Sequence, residues 1–165
     1  MDLEAALEEV APRLLAYAIG RTGSRSAAED VVQDALAALV RRWRNSGPPE
    51  SVDAFVFSIA KRRATRANVK RALAVPLERV GMHLARPAFV VQHMEARDEL
   101  AHVLEAIRSL GGRDREVLLM RAAGEMSIAD IAVALGVSSD AVKMRLSRAR
   151  DRVRRQLKGD GHAGG

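Results

Sequence analysis

The chain has 165 residues, of which 48% are hydrophobic and 29% charged, so it predicts one ordinary folded domain or two small ones. The absence of cysteine excludes disulfide frameworks, zinc fingers and thiol catalysis. Aromatic residues make up only 3%, so the core must be aliphatic and alanine-rich, which favours helices over sheets. The start is acidic and no window reaches the roughly 18 apolar residues of a membrane span. We therefore expect a soluble, cytoplasmic protein without membrane insertion.

The charge is distributed unevenly along the chain. The net charge is +6 and the isoelectric point is about 10.6, although acidic residues outnumber basic ones by seven to three in the first 34 positions. Residues 61–71 carry six basic side chains and no acidic one, and residues 138–158 again have a large basic excess. Two separate basic stretches favour a polyanionic partner that binds at two places on the protein. The alternative is a basic surface that is merely solvated.

Three helices are predicted in the first half of the chain. Residues 3–20 have a helical pattern, and the next segment opens with a capping box formed by Ser26 and Glu29. The loop "NSGPPE" at 45–50 separates that second helix from a third, which becomes strongly basic after residue 60. The apolar positions of the second helix recur at helical spacing at Val32, Leu36, Leu39 and Trp43.

The middle of the chain predicts a boundary between two helical units. Residues 74–95 contain Pro76, Gly81 and Pro87 and have no sustained period. The predicted fold is therefore all-α, with two small helical domains joined by a linker. The predicted bounds are 1–73 for the first domain, 74–95 for the linker and 96–158 for the second domain.

The second domain ends with a helix-turn-helix pattern. Ser127 suits a helix cap, and Gly136 can adopt the left-handed conformation that a sharp turn requires. Ser138 is expected to cap the last helix, in which Val142 and Leu146 would face inward. Arginine and lysine on the outer faces of such a helix contact guanine edges or phosphates, and serine contacts either. A solvated helix of a bundle is the alternative.

Three segments together resemble one family. They are "AAEDVVQDALAALVRRW", the basic "IAKRR", and the stretch from "GRDREVLLMR" to "SRARDRVRRQL". The chain resembles the extracytoplasmic-function (ECF) group of bacterial sigma factors over residues 5–72 and 96–157. The resemblance implies sigma-2 and sigma-4 domains in an alternative sigma factor. Such a subunit binds core RNA polymerase and directs transcription initiation by recognising −10 and −35 elements and opening the promoter.

The resemblance also assigns candidate residues to three surfaces. For core polymerase they are Asp30, Gln33, Asp34 and Leu36, although the spacing of Leu36 also suits the core. For the −10 element they are Asn45, Ser46, Ser51, Lys61, Arg62 and Arg63. For the −35 element they are Ser139, Lys143, Met144, Ser147 and Arg148.

This sequence departs from the family pattern at several of these places. Phe55 stands where the family usually has tryptophan, and Arg62 and Arg66 stand where it commonly has asparagine and aspartate. Met144 stands where a small polar residue is frequent. These departures put the −10 preference in question and point to an altered −35 preference.

The expected partners are core polymerase, promoter DNA and an anti-sigma factor, with no cofactor, metal or catalytic residue. The four histidines lack metal-ligand spacing, and no convergent acids indicate an enzyme. Two alternatives remain: a stand-alone helix-turn-helix regulator, and a degenerate sigma-like protein-interaction module. The acidic helix at 29–36 favours the sigma factor, because a regulator that works without polymerase has no need of it.

Overall fold

The computed structural model describes residues 1–74, 102–103 and 105–160, and within these ranges the regular structure is helical with no strand. The all-α prediction is confirmed. Most of the predicted linker, residues 75–95, lies outside the described residues, and the domain bounds remain predictions. In the described part, no helix is long and apolar enough to cross a membrane. The helices with defined bounds are α1 (Leu3–Thr22), α2 (Arg25–Ser46), α3 (Val52–Ala74), α4 (Gly112–Ala122), α5 (Ile128–Leu135) and α6 (Ser139–Asp160), and residues 102–103 and 105–108 are helical as well.

The junction of α1 and α2 differs from its prediction. The cap of α2 is Ser24, whose Oγ accepts a hydrogen bond from the amide of Ala27 at 3.2 Å. Gly23 ends α1 with φ of 66°, and this left-handed residue lets the chain reverse within two residues. Ser26 therefore already lies in the first turn, and Glu29 pairs with Arg25 at 2.9 Å. The predicted Ser26 capping box is wrong by two residues.

Helices α1–α3 form a bundle in which each helix contacts the other two. Its centre holds Tyr17 and Phe57, whose rings meet edge to face with centroids 5.3 Å apart. Small residues at the inner face of α2 and α3 allow the helices to pack closely around these two rings. The buried residues of this bundle include Val10, Leu14, Ala18, Ala28, Val31, Ala35, Leu39, Val56, Ala60 and Ala64.

Helices α4–α6 form a helix-turn-helix unit. Ser127 caps α5 by accepting from the amide of Asp130 at 3.0 Å, and Gly136 ends that helix with φ of 65°. Ser138 accepts from the amide of Ala141 at 3.1 Å and so starts α6. These features confirm the predicted turn. Its core contains Val117, Met120, Met126, Ile131, Val142 and Leu146, all buried.

The two units pack against each other along a contact that we call the seam, formed by α1 and α3 on one side and α4, α5 and their connection on the other. Apolar packing at the seam is close at two glycines. A Cβ atom built on Gly124 would lie 2.7 Å from Phe57 Cε1, and one on Gly20 would lie 2.9 Å from Leu119 Cδ2. Real Cβ atoms almost never approach so closely, so a side chain at Gly124 would displace the buried Phe57 ring, whereas the end of Leu119 could shift away from a side chain at Gly20.

Polar contacts also cross the seam. The guanidinium of Arg13 binds both carboxylate oxygens of Asp53 at 2.8 Å, and its Nη1 also donates to the carbonyl of Gly124 at 3.0 Å. Hydrogen bonding to Asp53 raises the pKa of Arg13. On the other side, Ser51 Oγ donates to Asp130 Oδ1 at 2.7 Å. The Arg13–Asp53 pair joins α1 to α3 within the first bundle and holds the guanidinium in place. The bonds from Arg13 to Gly124 and from Ser51 to Asp130 cross the seam and fix the second unit on that bundle.

A buried ionic cluster lies further along the seam. Glu116 on α4 accepts a short hydrogen bond from the hydroxyl of Tyr17, and its other carboxylate oxygen lies 2.6 Å from Arg21 Nε. The side chains of Arg21 and Glu116 are only 10% and 8% exposed. Burial, and then the charge of Glu116, raise the pKa of Tyr17 well above its ordinary value, so the phenol stays protonated. The sequence did not predict this cluster.

Candidate nucleic-acid interface

Helix α6 presents a basic surface on the outside of the helix-turn-helix unit. It contains eight basic and three acidic residues. Val142, Leu146 and Ala149 are buried against the rest of the unit, so the opposite side of the helix faces solvent. The −35 candidates Ser139, Lys143, Met144, Ser147 and Arg148 are all exposed.

Arg148 is steadied by the neighbouring helix. Its Nη2 lies 3.4 Å from Asp114 Oδ1, at the start of α4. The Arg148 side chain is 60% exposed, whereas that of Asp114 is 15% exposed. The Asp114 carboxylate is thus held within the helix-turn-helix unit. Its contact restricts the orientation of the Arg148 guanidinium.

A depression of about 240 Å³ lies beside α6, between this helix and the start of α5. Two of its cations, Arg150 and Arg154, were not among the predicted site residues. They could have been found from the sequence, because steps of three or four residues from Lys143 lead to both along one side of the helix. Such cations suit phosphates, which fix the register of a protein on DNA. The depression is lined by Ile128, Lys143, Leu146, Ser147, Arg150, Asp151 and Arg154.

The outer side of α2 presents the polymerase candidates. Asp30, Gln33 and Asp34 are exposed, while Leu36 is partly buried and packs against the core. Leu36 therefore contributes to packing as well as to the surface. Asp34 Oδ2 lies 3.5 Å from Arg63 Nε, so one polymerase candidate is paired with one −10 candidate.

The −10 candidates of the α2–α3 loop fall into two groups. Asn45 and Ser46 are exposed at the end of α2. Ser51 is partly buried, and its hydroxyl both accepts from the amide of Ala54 at 3.0 Å and donates to Asp130 of α5. The structure therefore does not bring these three residues to one free surface, because the helix-turn-helix unit covers Ser51.

The three consecutive basic residues of α3 do not share one face. At about 100° per residue, Lys61 and Arg63 point about 160° apart around the helix. Arg63 approaches α2 through its pair with Asp34, while Arg62 and Arg66, one turn apart, are both exposed on the outer face. Arg66, which the candidate set omits, is thus a closer neighbour of Arg62 than Lys61 is.

Two further features of the described residues concern aromatic rings and metal ligands. Trp43 and Phe55 are partly buried and pack against the core, so neither ring is a free stacking surface. Among the described residues, no group of three or more His, Asp or Glu side chains is placed to hold a metal ion.

Comparison with known proteins assigns each of the two units to a known protein family. A family model described as Sigma-70 region 2 matches residues 6–72, and one described as Sigma-70 region 4 matches residues 100–153. The RNA polymerase sigma-E factor of Streptomyces antibioticus is 32% identical over 130 residues, which cover 79% of this chain and 70% of the relative. This chain belongs to the ECF sigma factors.

A second ECF relative extends over nearly the whole chain. The ECF RNA polymerase sigma factor SigD of Mycobacterium tuberculosis (strain CDC 1551 / Oshkosh) is 27% identical over 164 residues. These cover 94% of this sigma factor and 76% of the relative. The similarity thus includes both regions and the segment between them.

Two solved structures have the same fold. RpoE of Bartonella quintana, solved in complex with the anti-sigma factor NepR, has a TM-score of 0.71 at 26% identity, covering 94% of this chain and 96% of RpoE. CnrH, solved with the cytosolic domain of CnrY, also has a TM-score of 0.71, at 24% identity, covering 96% of this chain and 88% of CnrH. At this level of identity, the likeness to CnrH supports only the fold.

As an ECF sigma factor, the protein is a promoter-specificity subunit of bacterial RNA polymerase. It binds core polymerase and directs initiation at promoter DNA through its region 2 and region 4 domains. Its relatives are sigma factors, which are not enzymes.

Proposed function

We propose that this sigma factor divides its work between the surfaces described above. The exposed acidic side of α2, with Asp30 and Gln33 at its centre, binds core polymerase in the cytoplasm. The end of α2, the start of α3 and the basic residues 61–63 of α3 bind the −10 element, and the exposed stripe of α6 binds the −35 element. The observation that carries the proposal is α6, a capped, basic recognition helix whose candidate side chains are all exposed. The mechanism is binding and strand separation, with no catalytic residue or cofactor.

Binding both elements at once requires the seam to open. The −10 and −35 elements lie 25 positions apart, about 85 Å along a duplex. Ser51 contacts Asp130, and Ser139 follows nine residues later, so the start of α6 lies within about 30 Å of the −10 candidate loop. The closed arrangement cannot span a promoter, and we infer that it is the resting form.

An anti-sigma factor is the partner expected to stabilise this resting form. The likeness to RpoE in its NepR complex covers 94% of this chain, and so includes both units. That extent supports a closed, inhibited arrangement. The seam contacts of this chain would favour the same arrangement before any anti-sigma factor binds.

Replacing Asp30 and Gln33 together by alanine should lower affinity for core polymerase by about thirtyfold, because removing one hot-spot contact costs about 2 kcal/mol. Both side chains are exposed, so folding should be unchanged. The measurement is an equilibrium titration of labelled sigma factor with core polymerase. Glu8→Ala, an exposed acid on α1, provides the matched control and should bind as the wild type does.

The same titration separates the proposal from a stand-alone regulator. A regulator would bind promoter duplex without polymerase and would show no affinity for the core enzyme. If the unaltered protein neither binds core polymerase nor supports promoter-dependent transcription with it, the proposed function is wrong. If the double variant binds core polymerase normally, the assignment of α2 is wrong.

A further inference from the structure

Met144 occupies an unusual place on α6. Val142, Leu146 and Ala149 are buried, and at 100° per residue they surround the direction opposite Met144. The Met144 side chain therefore points straight away from the helix-turn-helix unit. Its residue is 63% exposed, which makes it one of the few large hydrophobic residues left open to solvent in the described ranges.

The residues around Met144 are polar or charged. One turn before it on the same stripe is Asp140, and one turn after it are Ser147 and Arg148, all exposed. Its one apolar neighbour, Ala141 one turn before it, is small and partly buried, so Met144 is the single large apolar side chain on the outermost line of a hydrophilic helix. This arrangement differs from a hydrophobic docking face, in which apolar residues would recur at helical spacing.

The outermost line of a recognition helix reaches deepest into the major groove. Base edges in that groove present hydrogen-bond donors and acceptors, and the one apolar group among them is the C5-methyl of thymine. Lys143, Ser147 and Arg148 can satisfy the polar groups, whereas Met144 has only the methyl group as a matching target. Its thioether is flexible enough to follow the exact position of that methyl.

We propose that Met144 is a specificity-determining residue that contacts the 5-methyl group of a thymine in the −35 element. This inference rests on the proposed function of α6. Burying one methyl group against an apolar side chain changes an equilibrium constant by about fourfold. The contact should therefore give a preference for thymine over uracil of about that size at one position.

The test compares duplexes that differ only by methyl groups. A promoter library with a randomised −35 region is amplified with either dTTP or dUTP, and each pool is selected for binding to polymerase containing the full-length sigma factor. In the thymine pool, one thymine position should be enriched in the selected sequences. In the uracil pool, the enrichment at that position should fall by about fourfold, because only the methyl is missing.

Two variants connect this preference to Met144. Met144→Ala should remove the difference between the two pools while leaving the remaining −35 preferences and the affinity for core polymerase unchanged. Val133→Ala removes an equally exposed apolar residue, 69% exposed, from α5 and should leave the thymine preference intact.

Each other outcome has a distinct meaning. If a −35 sequence is selected but thymine and uracil are equivalent at every position, the methyl contact is wrong and the proposed function stands. If Met144→Ala keeps the thymine preference, or instead weakens core polymerase binding, the inference is likewise overturned. If no −35 sequence is enriched at all, the proposed role of α6 fails together with the inference.

Discussion

Glu116→Ala is expected to lower the free energy of unfolding by about 3–5 kcal/mol, the cost of leaving a buried charge without its partner. The carboxylate of Glu116 neutralises Arg21 and accepts from Tyr17 at the seam, where both ionic side chains are almost fully buried. Urea unfolding followed by circular dichroism gives the free energy. Glu105→Ala removes an exposed carboxylate that lies 3.6 Å from Arg108, and this control should cost less than about 1 kcal/mol.

The same variant should also uncouple the two units. Trp43, the single tryptophan, lies in the first bundle, so its fluorescence reports that bundle alone, whereas circular dichroism reports all helices. In the wild type the two signals should change together, because the units share one core. In Glu116→Ala they should separate. Equal, small losses for Glu116→Ala and Glu105→Ala would show that the buried pair does not form in solution.

Arg148→Ala is expected to reduce binding of the polymerase complex to its preferred −35 sequence by about 10- to 100-fold, the usual cost of one good base contact. Arg148 lies on the outward stripe of α6, and Asp114 restricts its direction. Binding is measured by titrating promoter duplexes with preferred or scrambled −35 sequences. Affinity for core polymerase should not change, because the polymerase candidates lie on α2 and Arg148 lies on α6.

Arg154→Ala makes the same charge change two turns further along α6. Its side chain is 70% exposed and borders the basic depression, where phosphate contacts are expected. This variant should weaken binding to both duplexes equally and lower the salt dependence. Should Arg148→Ala behave in the same way, Arg148 contacts phosphate and does not distinguish bases.

The helix-turn-helix could be predicted in detail because its signals are local. A glycine that must adopt positive φ and two serine caps define the turn within a few residues, and Gly136, Ser127 and Ser138 all occupy the predicted places. Likewise, the exposure of Lys143 and Ser147 follows from the burial of Val142 and Leu146 on one helix. Such features depend on spacing along a single segment, which the sequence displays.

The seam could not be predicted, because it depends on residues far apart in the chain. In the segment "GRDREVLL", Glu116 looks like an ordinary surface acid. Only the fold brings it next to Arg21, which lies 95 positions earlier in the chain. Local ambiguity caused the error at α2, where Ser24 and Ser26 are both plausible caps. The turn at Gly23 favours the first of them, and that turn depends on how α1 and α2 pack.

The closed arrangement must open before a promoter is bound. Because the chain has no cysteine, Ser51→Cys and Asp130→Cys introduce a unique thiol pair at a contact of 2.7 Å between the original side chains. A short bifunctional methanethiosulfonate reagent would join the two thiols, and a reductant would release them. The single-cysteine variants control for any effect of the substitutions themselves.

The decisive measurement is promoter-dependent transcription by core polymerase with the double-cysteine protein before and after reduction of the cross-link. We expect little or no promoter-specific transcript from the linked protein, and recovery to the level of the single-cysteine controls after reduction. A linked protein that supports as much transcription as its reduced form would contradict the claim, because region 2 and region 4 would then bind a promoter without separating.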